Sequence, residues 1–344
     1  MYSPEDVSRI VLKVRREIGL DPTVKPKIVD TVFKGESGTL LIITEDRPDK
    51  ASILGPGGWV LKRVGEELGV KQIGARALID IKVKIERVKL SILRHLALAR
   101  TLKGSTKNIL MKRVIPMLRN ELQYPRRDLY EDEPLDDHET IVGYSGGVDS
   151  TSTLLILKKA GLNPVAVTVD PGPRIIPKET KLNIQRLTKE IDVPQIFVEP
   201  DKEAFEKIFM DSISGRVHPC GSCNRQIEKA VLIEAGRRND TLIGFGDLLP
   251  TGSHSVRLHQ GYIRLNPLAA LAYSKTDSLL TAKSVGHPTT NLIYGCPFLR
   301  AVHRKNPQFR YVSIQRVLRE TRANILEPNQ ALEYVKSIFG HRPI

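Results

Sequence analysis

Residues 140–150 read TIVGYSGGVDS: an apolar run, a glycine-rich turn and the start of a helical segment. A strand, a turn and a helix in that order make a cradle for phosphate. Gly146 and Gly147 let backbone N–H groups approach anionic oxygens, and the helix, expected to begin near Asp149, turns its positive end toward the same oxygens. Ser145 and Ser150 are candidate hydroxyl donors, and Asp149 is a candidate ligand for a magnesium ion bridging phosphates. The stretch is neither the GxxxxGKS/T loop nor the GxGxxG loop. An ordinary turn is the plain alternative.

Outward from this turn, strands are expected at 140–144, 163–169, 195–198 and 241–245, with helices at roughly 149–160, 177–191 and 223–238. The alternation predicts an α/β fold with a parallel sheet, whose ligands gather at the carboxyl ends of the strands. Asp170, closing VAVTVD, sits at such an end. It is a candidate acceptor from an adenosine ribose or amino group, against the alternative of a solvated strand end.

The 344 residues suffice for two or three domains with cores of their own. The longest apolar stretches are too short to span a bilayer, and the N-terminus reads as a charged amphipathic helix rather than a signal peptide, so a soluble, cytoplasmic protein is expected. A formal charge of +14 and a pI near 9.6 favour an acidic macromolecular partner. The excess is concentrated: Lys82 to Arg127 holds thirteen Lys or Arg against Glu86 and Glu121. A solvated helix surface would explain the same run.

Ahead of the α/β pattern, residues 3–19 read as a helix. Strands are expected at 30–33 and 39–44, joined by KGESG, and QIGARALIDIKV reads as further β structure. Between them, two short helices flank Gly55-Pro56-Gly57-Gly58. This strand–helix–GxxG–helix–strand order resembles a KH domain. The resemblance implies an α+β RNA-binding domain over 1–85, in which Gly55, Pro56, Gly57 and Gly58, with Lys62 and Arg63, hold the backbone of unpaired nucleotides. Residues 86–137 are expected to form two basic helices broken near Lys103-Gly104-Ser105, then an acidic linker beginning at Pro125. The catalytic domain is placed at 138–344. Its basic stretch RAVHRKNPQFRYVSIQRVLRETR is read as closing the core through Val312, Ile314 and Val317, with extension of an RNA surface as the alternative for its charges.

Three cysteines argue against a disulfide framework. Cys220 and Cys223 form a CxxC at a loop-to-helix junction, and Cys296 stands in YGCP. Zinc would need a fourth ligand, for which His218 or His303 is near in sequence. Three thiolates could instead hold three irons of a [4Fe–4S] cluster. A redox pair or inert thiols are further alternatives, and ligand count does not choose among them.

SGGVDS resembles the pyrophosphatase loop (PP-loop) of the N-type ATP pyrophosphatases, enzymes of the HUP-type, adenine nucleotide α-hydrolase-like fold that split ATP between its α and β phosphates. The resemblance makes Tyr144, Ser145, Gly146, Gly147, Val148, Asp149 and Ser150 the expected ATP-binding loop, with magnesium. The loop, then CxxC, then a lone cysteine followed by proline, is similar to TtuA-type tRNA thiouridine synthetases over roughly residues 138–305. It implies that Cys220, Cys223 and Cys296 hold a [4Fe–4S] cluster beside the ATP site, with zinc as the alternative. It also makes Arg225 a phosphate contact, and Gly244 and Asp247, in GFGDLLPTG, nucleotide- or metal-site residues. Asp247 would serve as a second metal ligand or base. Phe245 departs from the family's histidine. The paired zinc-binding cysteine motifs of the 2-thiouridine enzymes are missing, so the KH-like region is expected to take over RNA holding.

The implied function is an ATP-dependent tRNA sulfurtransferase that adenylates a uridine carbonyl oxygen and replaces it with sulfur. The expected partners are tRNA or another structured RNA and a sulfur donor, either sulfide or a sulfur-carrier protein, with a homodimer as the expected assembly. A PP-loop amidotransferase or ligase acting on RNA, a small-molecule sulfurtransferase and a non-catalytic RNA-binding module are the rival readings.

Overall fold

The computed structural model describes residues 2–340 apart from 22, 36–37, 129, 135–138, 250–254, 260 and 289–291. Parts of the KGESG turn (36–37), the acidic linker (129 and 135–137), the expected domain start (138) and GFGDLLPTG (250–252) lie outside the described residues. The chain divides into two compact units, Met1–Glu86 with Glu121–Asp128, and Arg87–Asn120 with Leu129–Ile344.

In the first unit, α1 (Pro4–Glu17) starts on Ser3, whose side chain accepts from the Asp6 N–H. Its Val7, Val11 and Val14 recur at helical spacing and are fully buried. Then come β1 (Ile28–Lys34), β2 (Thr39–Thr44), α2 (Arg47–Leu54), a 3-10 turn over Pro56–Gly58, α3 (Trp59–Glu67) and β3 (Gln72–Ala77). The sheet runs β1-β2-β3, with β1 antiparallel and β3 parallel to β2. Leu40 and Ile42 from β2, Ile53 from α2, and Val60 and Val64 from α3 pack on the α1 valines as one core.

One expectation fails here. QIGARALIDIKV is β only as far as Ala77, where α4 (Leu78–Thr101) begins and runs across the boundary between the units. The alternating Ile79, Ile81, Val83 and Ile85 imitate a strand. Burial, however, recurs at Ile81, Lys84, Val88, Ile92, His95 and Ala99, a helical period joined by Asp80 and Ser91, and Ile79 is exposed. After a break at Leu102–Lys103 the chain is helical through α5 (Gly104–Ile109), a π turn at Leu110–Val114 and α6 (Ile115–Glu121). Part of the basic excess is structural. Buried Glu121 takes both Lys84 and Arg127, Arg126 pairs with Asp30, and Arg113 pairs with Asp132.

The second unit continues as β4 (Glu139–Gly143), α7 (Val148–Lys159), β5 (Asn163–Val169), α8 (Lys178–Ile191), β6 (Gln195–Val198), α9 (Lys202–Ile213), α10 (Pro219–Arg237) and β7 (Leu242–Gly244). The hairpin β8 (Val256–His259) and β9 (Tyr262–Leu265) follows, then α11 (Pro267–Ala270), α12 (Lys275–Lys283), α13 (Pro297–Lys305), α14 (Phe309–Arg322) and α15 (Pro328–Phe339). The sheet order is β6-β5-β4-β7-β9-β8, parallel except for β8. This is the expected α/β class, and its central strands are apolar on both faces, with Val165, Ala166, Val167 and Val169 buried. The chain steps outward from β4 to β6 and then returns to β7 on the other side of β4. The β4–β7 boundary is therefore the switch point where a crevice opens at the carboxyl ends. Buried Asp240 ties the opposite ends of these strands, accepting from Ile141 N–H at 2.7 Å and Leu242 N–H at 2.9 Å. Among the described residues no helix is long and apolar enough to cross a membrane.

Two histidines couple this unit's stability to pH. Burial lowers the His95 pKa to about 4, against the opposing effect of the Ser91 carbonyl bonded to Nδ1. His303 is also lowered to about 4, first by burial, then by His218 and Arg310. Below the ordinary value of 6.5, the unfolded chain takes up protons that the folded chain refuses. Stability should thus be fully present above pH 6.5 and fall as pH drops toward 4. Denaturant midpoints across that range check this, and His95→Leu should flatten the dependence.

Candidate functional site

The loop after β4 is closed by its own serines. Ser150 Oγ donates to Gly147 O at 3.1 Å and accepts from Ser145 N–H at 3.2 Å, while the two hydroxyls meet at 3.1 Å. The two glycines differ. Gly146 has φ +72°, and a Cβ there would lie 2.4 Å from Ile184 Cγ1. Gly147 has ordinary extended backbone as the N-cap of α7, and a Cβ would meet only Ser145 Oγ at 3.5 Å. Only Gly146 is therefore required by conformation and space. Gly146→Ala should destabilise the second unit by about 1–3 kcal/mol, because strain and overpacking coincide. Gly147→Ala should leave the melting temperature nearly unchanged; thermal melts of both variants check the contrast.

Val148 opens α7, one residue earlier than expected, and the helix's first-turn N–H groups face the end of the sheet. Tyr144 is buried, with its hydroxyl 3.2 Å from Thr151 Oγ1, so its side chain supports the loop from within the core. His287, which sequence reading passed over, reaches the Gly146 carbonyl with Nε2 at 3.0 Å. A carbonyl only accepts, so that nitrogen carries the proton.

Asp149 has a partner that sequence reading did not find. Lys275 Nζ donates to both of its carboxylate oxygens at 2.8 Å. Lys275 is the first residue of α12, which starts on a capping box formed by Ser274 and Asp277. Burial works against the ammonium, but Asp149 and the hydrogen-bonded Tyr334 outweigh it and raise the Lys275 pKa. The lysine is therefore charged at neutral pH. Asp149 could take magnesium only by giving up part of this pair. Lys275 is thereby fixed as a cation beside the glycine-rich loop that follows β4.

From Tyr334 a line of side chains leads to the cysteines. The Tyr334 and Tyr294 rings meet edge to face with centroids 5.7 Å apart. Burial works against the Arg316 guanidinium, but Tyr294, Glu320 and Cys220 together outweigh it and raise its pKa. Arg316 also donates to Glu320 at 3.1 Å. The C-terminal helices thus contribute Tyr334, Arg316 and Glu320 to the site as well as closing a core with Val317 and Ile338. Val312, expected in that core, is exposed.

α10 starts at Pro219, after its N-cap His218, rather than near 223 as expected, so Cys220 and Cys223 both lie in its first turns at the loop-to-helix junction. Their spacing puts both thiols on one helix face. Cys296 is the N-cap of α13, its sulfur accepting from Leu299 N–H at 3.5 Å. Cys223 and Cys296 pack against one apolar cluster of Phe205, Phe209, Phe298 and Val302. Burial pushes the Cys220 pKa up to about 11, with Arg316 opposing, and pushes Cys223 up to about 12, with Cys296 and Cys220 adding to it. The three sulfurs are thus near neighbours, and two are neutral thiols that would ionise only beside a cation. Their side chains are not drawn into a ligating geometry: among the described residues no group of three or more His, Cys, Asp or Glu could hold a metal ion as it stands. The donor set itself, three soft sulfurs of which Cys223 and Cys296 pack on an apolar cluster and Cys220 lies near Arg316, suits an iron–sulfur group. Histidine is not poised as a fourth ligand through Nε2, since His218 and His303 both point that nitrogen at Ser313 Oγ, at 3.3 and 3.0 Å.

Several expected site residues are engaged elsewhere. Asp170 accepts from Gly172 N–H at 3.0 Å and pairs with Lys181. Asp247 is held by Arg264 at 2.7 Å, a guanidinium that also pairs with Glu228 and stacks 4.3 Å over Phe245. Arg225 is exposed and donates to Ser222 Oγ at 3.0 Å. Gly244 is buried in β7, where a Cβ would lie 2.8 Å from Leu157, which gives it a packing role. The next residues do approach the loop: a Cβ on Gly246 would come within 3.1 Å of the Asp149–Ser150 backbone.

In the first unit, Gly55, Gly57 and Gly58 all have positive φ, and Pro56 lies between them in the 3-10 turn joining α2 to α3. A Cβ on Gly55 would lie 2.2 Å from Val60. Lys62 is exposed, and Arg63 pairs with Glu66 at 3.3 Å.

No family model matches the chain. An uncharacterized protein of Methanocaldococcus jannaschii is 28% identical over 266 residues, covering 77% of this chain and 96% of its own length. Among solved structures, the chain is similar to a U34-tRNA thiolase from Methanococcus maripaludis with its [4Fe-4S] cluster, at a TM-score of 0.35 and 16% identity over 64% of this chain and 76% of that one. It is also similar to a predicted subunit of tRNA methyltransferase from Methanocaldococcus jannaschii, at a TM-score of 0.32 and 19% identity over 42% and 75%. These likenesses are too distant to assign a reaction, and the α/β class rests on the strand order and the loop.

Proposed function

We propose that this chain is an ATP-dependent RNA sulfurtransferase with a PP-loop ATP pyrophosphatase domain, acting on a uridine of tRNA or another structured RNA. The observation that carries this reading is the run of neighbouring side chains from Asp149 through Lys275, Tyr334, Tyr294 and Arg316 to Cys220. It joins a phosphate loop at the sheet's switch point to a thiol pocket within one unit, as coupled adenylation and sulfur transfer require.

The uridine carbonyl oxygen attacks the α-phosphorus of ATP. The new O–P bond forms as the bond to the β-phosphate oxygen breaks, pyrophosphate leaves with the electron pair, and the base loses its ring N–H proton. The loop N–H groups from Gly146 to Ser150, the Ser145 hydroxyl and the Lys275 ammonium stabilise the charge that develops, while Ser150, bonded to the Gly147 carbonyl, holds the loop in shape. A hydrosulfide supplied by the sulfur donor then adds to the activated carbon. AMP leaves with the oxygen, and the sulfur's proton returns to the ring nitrogen. Cys220, Cys223 and Cys296 would hold a [4Fe–4S] cluster, which when bound offers an open iron for sulfur; zinc in the same pocket is the alternative. Asp149 would hold magnesium after sharing Lys275.

The KH-like reading of the first unit is supported by its element order, its mixed sheet and its GPGG turn, and we assign RNA holding to it. Incubation of the purified chain with ATP and tRNA tests the activation step. AMP and pyrophosphate are expected, and they should depend on RNA; ADP and phosphate would contradict the reading.

A further inference from the structure

The GPGG turn runs directly into the chain's single tryptophan. Trp59 is the first residue of α3 and is 59% exposed, more than any other large apolar side chain described in the first unit. Helical spacing sets Trp59, Lys62 and Arg63 on one face, while Val60, Leu61 and Val64 are buried on the other. The indole therefore adds nothing to the core, although burying it would be strongly favourable. The Lys62 ammonium lies 5.8 Å from the ring centroid. Apart from their chain neighbours, no atom stands within 4 Å of where a Cβ would project from Gly57 or Gly58, so the turn presents open backbone just ahead of the indole.

We propose that Trp59 stacks on an unpaired nucleobase of single-stranded RNA whose phosphates lie along the GPGG turn, so that the turn grips a base as well as the backbone. The inference rests on the RNA-binding reading of that turn. An indole face offers a base what an aliphatic side chain cannot, a flat π surface, and stacking of this kind tolerates any base. Lys62 is placed to favour an adjacent phosphate while remaining against the ring. The indole also lies on a helix with a packed inner face, so little ordering is required when a base arrives.

A single tryptophan makes the test direct. An unpaired oligoadenylate is titrated into the full-length protein while intrinsic emission is followed, and a dye-labelled copy reports binding by anisotropy. An abasic strand of equal length serves as the phosphate-only control. Oligoadenylate should quench the emission, whereas the abasic strand should bind without quenching. Trp59→Ala should weaken oligoadenylate by about ten-fold while leaving the abasic strand unchanged, and Trp59→Phe should restore most of the loss. Binding by anisotropy with unchanged emission, and equal affinity in Trp59→Ala, would overturn the stacking role and leave the RNA reading standing. No binding of either strand by the wild-type protein would overturn the RNA reading of the turn, and the inference with it. Trp59 is exposed, so the variants should keep the wild-type circular dichroism.

Discussion

Lys275→Met is expected to lower the rate of AMP formation by about 10²- to 10³-fold, the usual loss when one preorganised charge is removed from a site where negative charge develops. Lys275 Nζ lies 2.8 Å from both oxygens of Asp149 at the start of α7. Without it, the loop would present an unneutralised carboxylate to an incoming triphosphate. The effect on stability should be smaller. The Asp149 side chain is 31% exposed, so water can replace part of what it loses, and a cost of about 1–2 kcal/mol is expected. Asp149→Asn should also slow the reaction. Because the two groups act as a pair, the double variant should be no slower than the worse single variant. Lys275→Arg should retain more activity than Lys275→Met. Wild-type AMP formation in Lys275→Met would remove this lysine from the account.

Cys223→Ser is expected to eliminate sulfur incorporation and reduce iron retention to background, while AMP formation stays within a few-fold of wild type. Burial, with Cys296 and Cys220 adding to it, pushes the Cys223 thiol up to about 12. The pocket therefore accepts thiolates only together with a cation. A serine hydroxyl is harder and far less acidic, so it would leave two sulfur donors in an apolar site. Cys223 is separated from the phosphate loop by the Lys275–Tyr334–Tyr294–Arg316 run, which explains why nucleotide chemistry should survive. Iron per chain and AMP release, measured on the same anaerobic sample, separate the two effects. A Cys223→Ser protein that holds iron and thiolates RNA would show that the thiol pocket is not the sulfur site.

Much of the second unit was legible because its signals are local. The apolar runs of β5 and β6 match their expected bounds, and β4, α7 and α8 fall within one residue of theirs. A buried parallel strand must be apolar throughout, so its ends are marked wherever polarity returns. The helix α9 and the β8–β9 hairpin were not read: the hairpin's strands are only four residues long, although Gly261 between them has the positive φ of a turn residue. α4 was misread at its start because Ile79, Ile81, Val83 and Ile85 alternate as in a strand, whereas burial follows every third or fourth residue from Ile81 onward.

The site was legible where residues are adjacent in the chain and hidden where they are not. SGGVDS and CxxC are contiguous, but Lys275 is 126 residues from Asp149 and His287 is 141 from Gly146. Asp170 and Asp247 looked available as isolated carboxylates at strand ends. Their partners Lys181 and Arg264 arrive through the fold, so their occupancy could not be read from spacing. Cys220 does sit at the start of α10, but the helix begins at Pro219, four residues before its expected start.

Under the proposed function, one chain couples ATP splitting to sulfur insertion in RNA. The most direct test is mass spectrometry of nucleosides from tRNA incubated with anaerobically purified, iron-containing protein, ATP, magnesium and sulfide. The account predicts a uridine in which sulfur has replaced one carbonyl oxygen, formed only when ATP is present and accompanied by equal amounts of AMP. AMP formation with tRNA whose nucleosides are all unchanged, or carry nitrogen in place of oxygen, would contradict it.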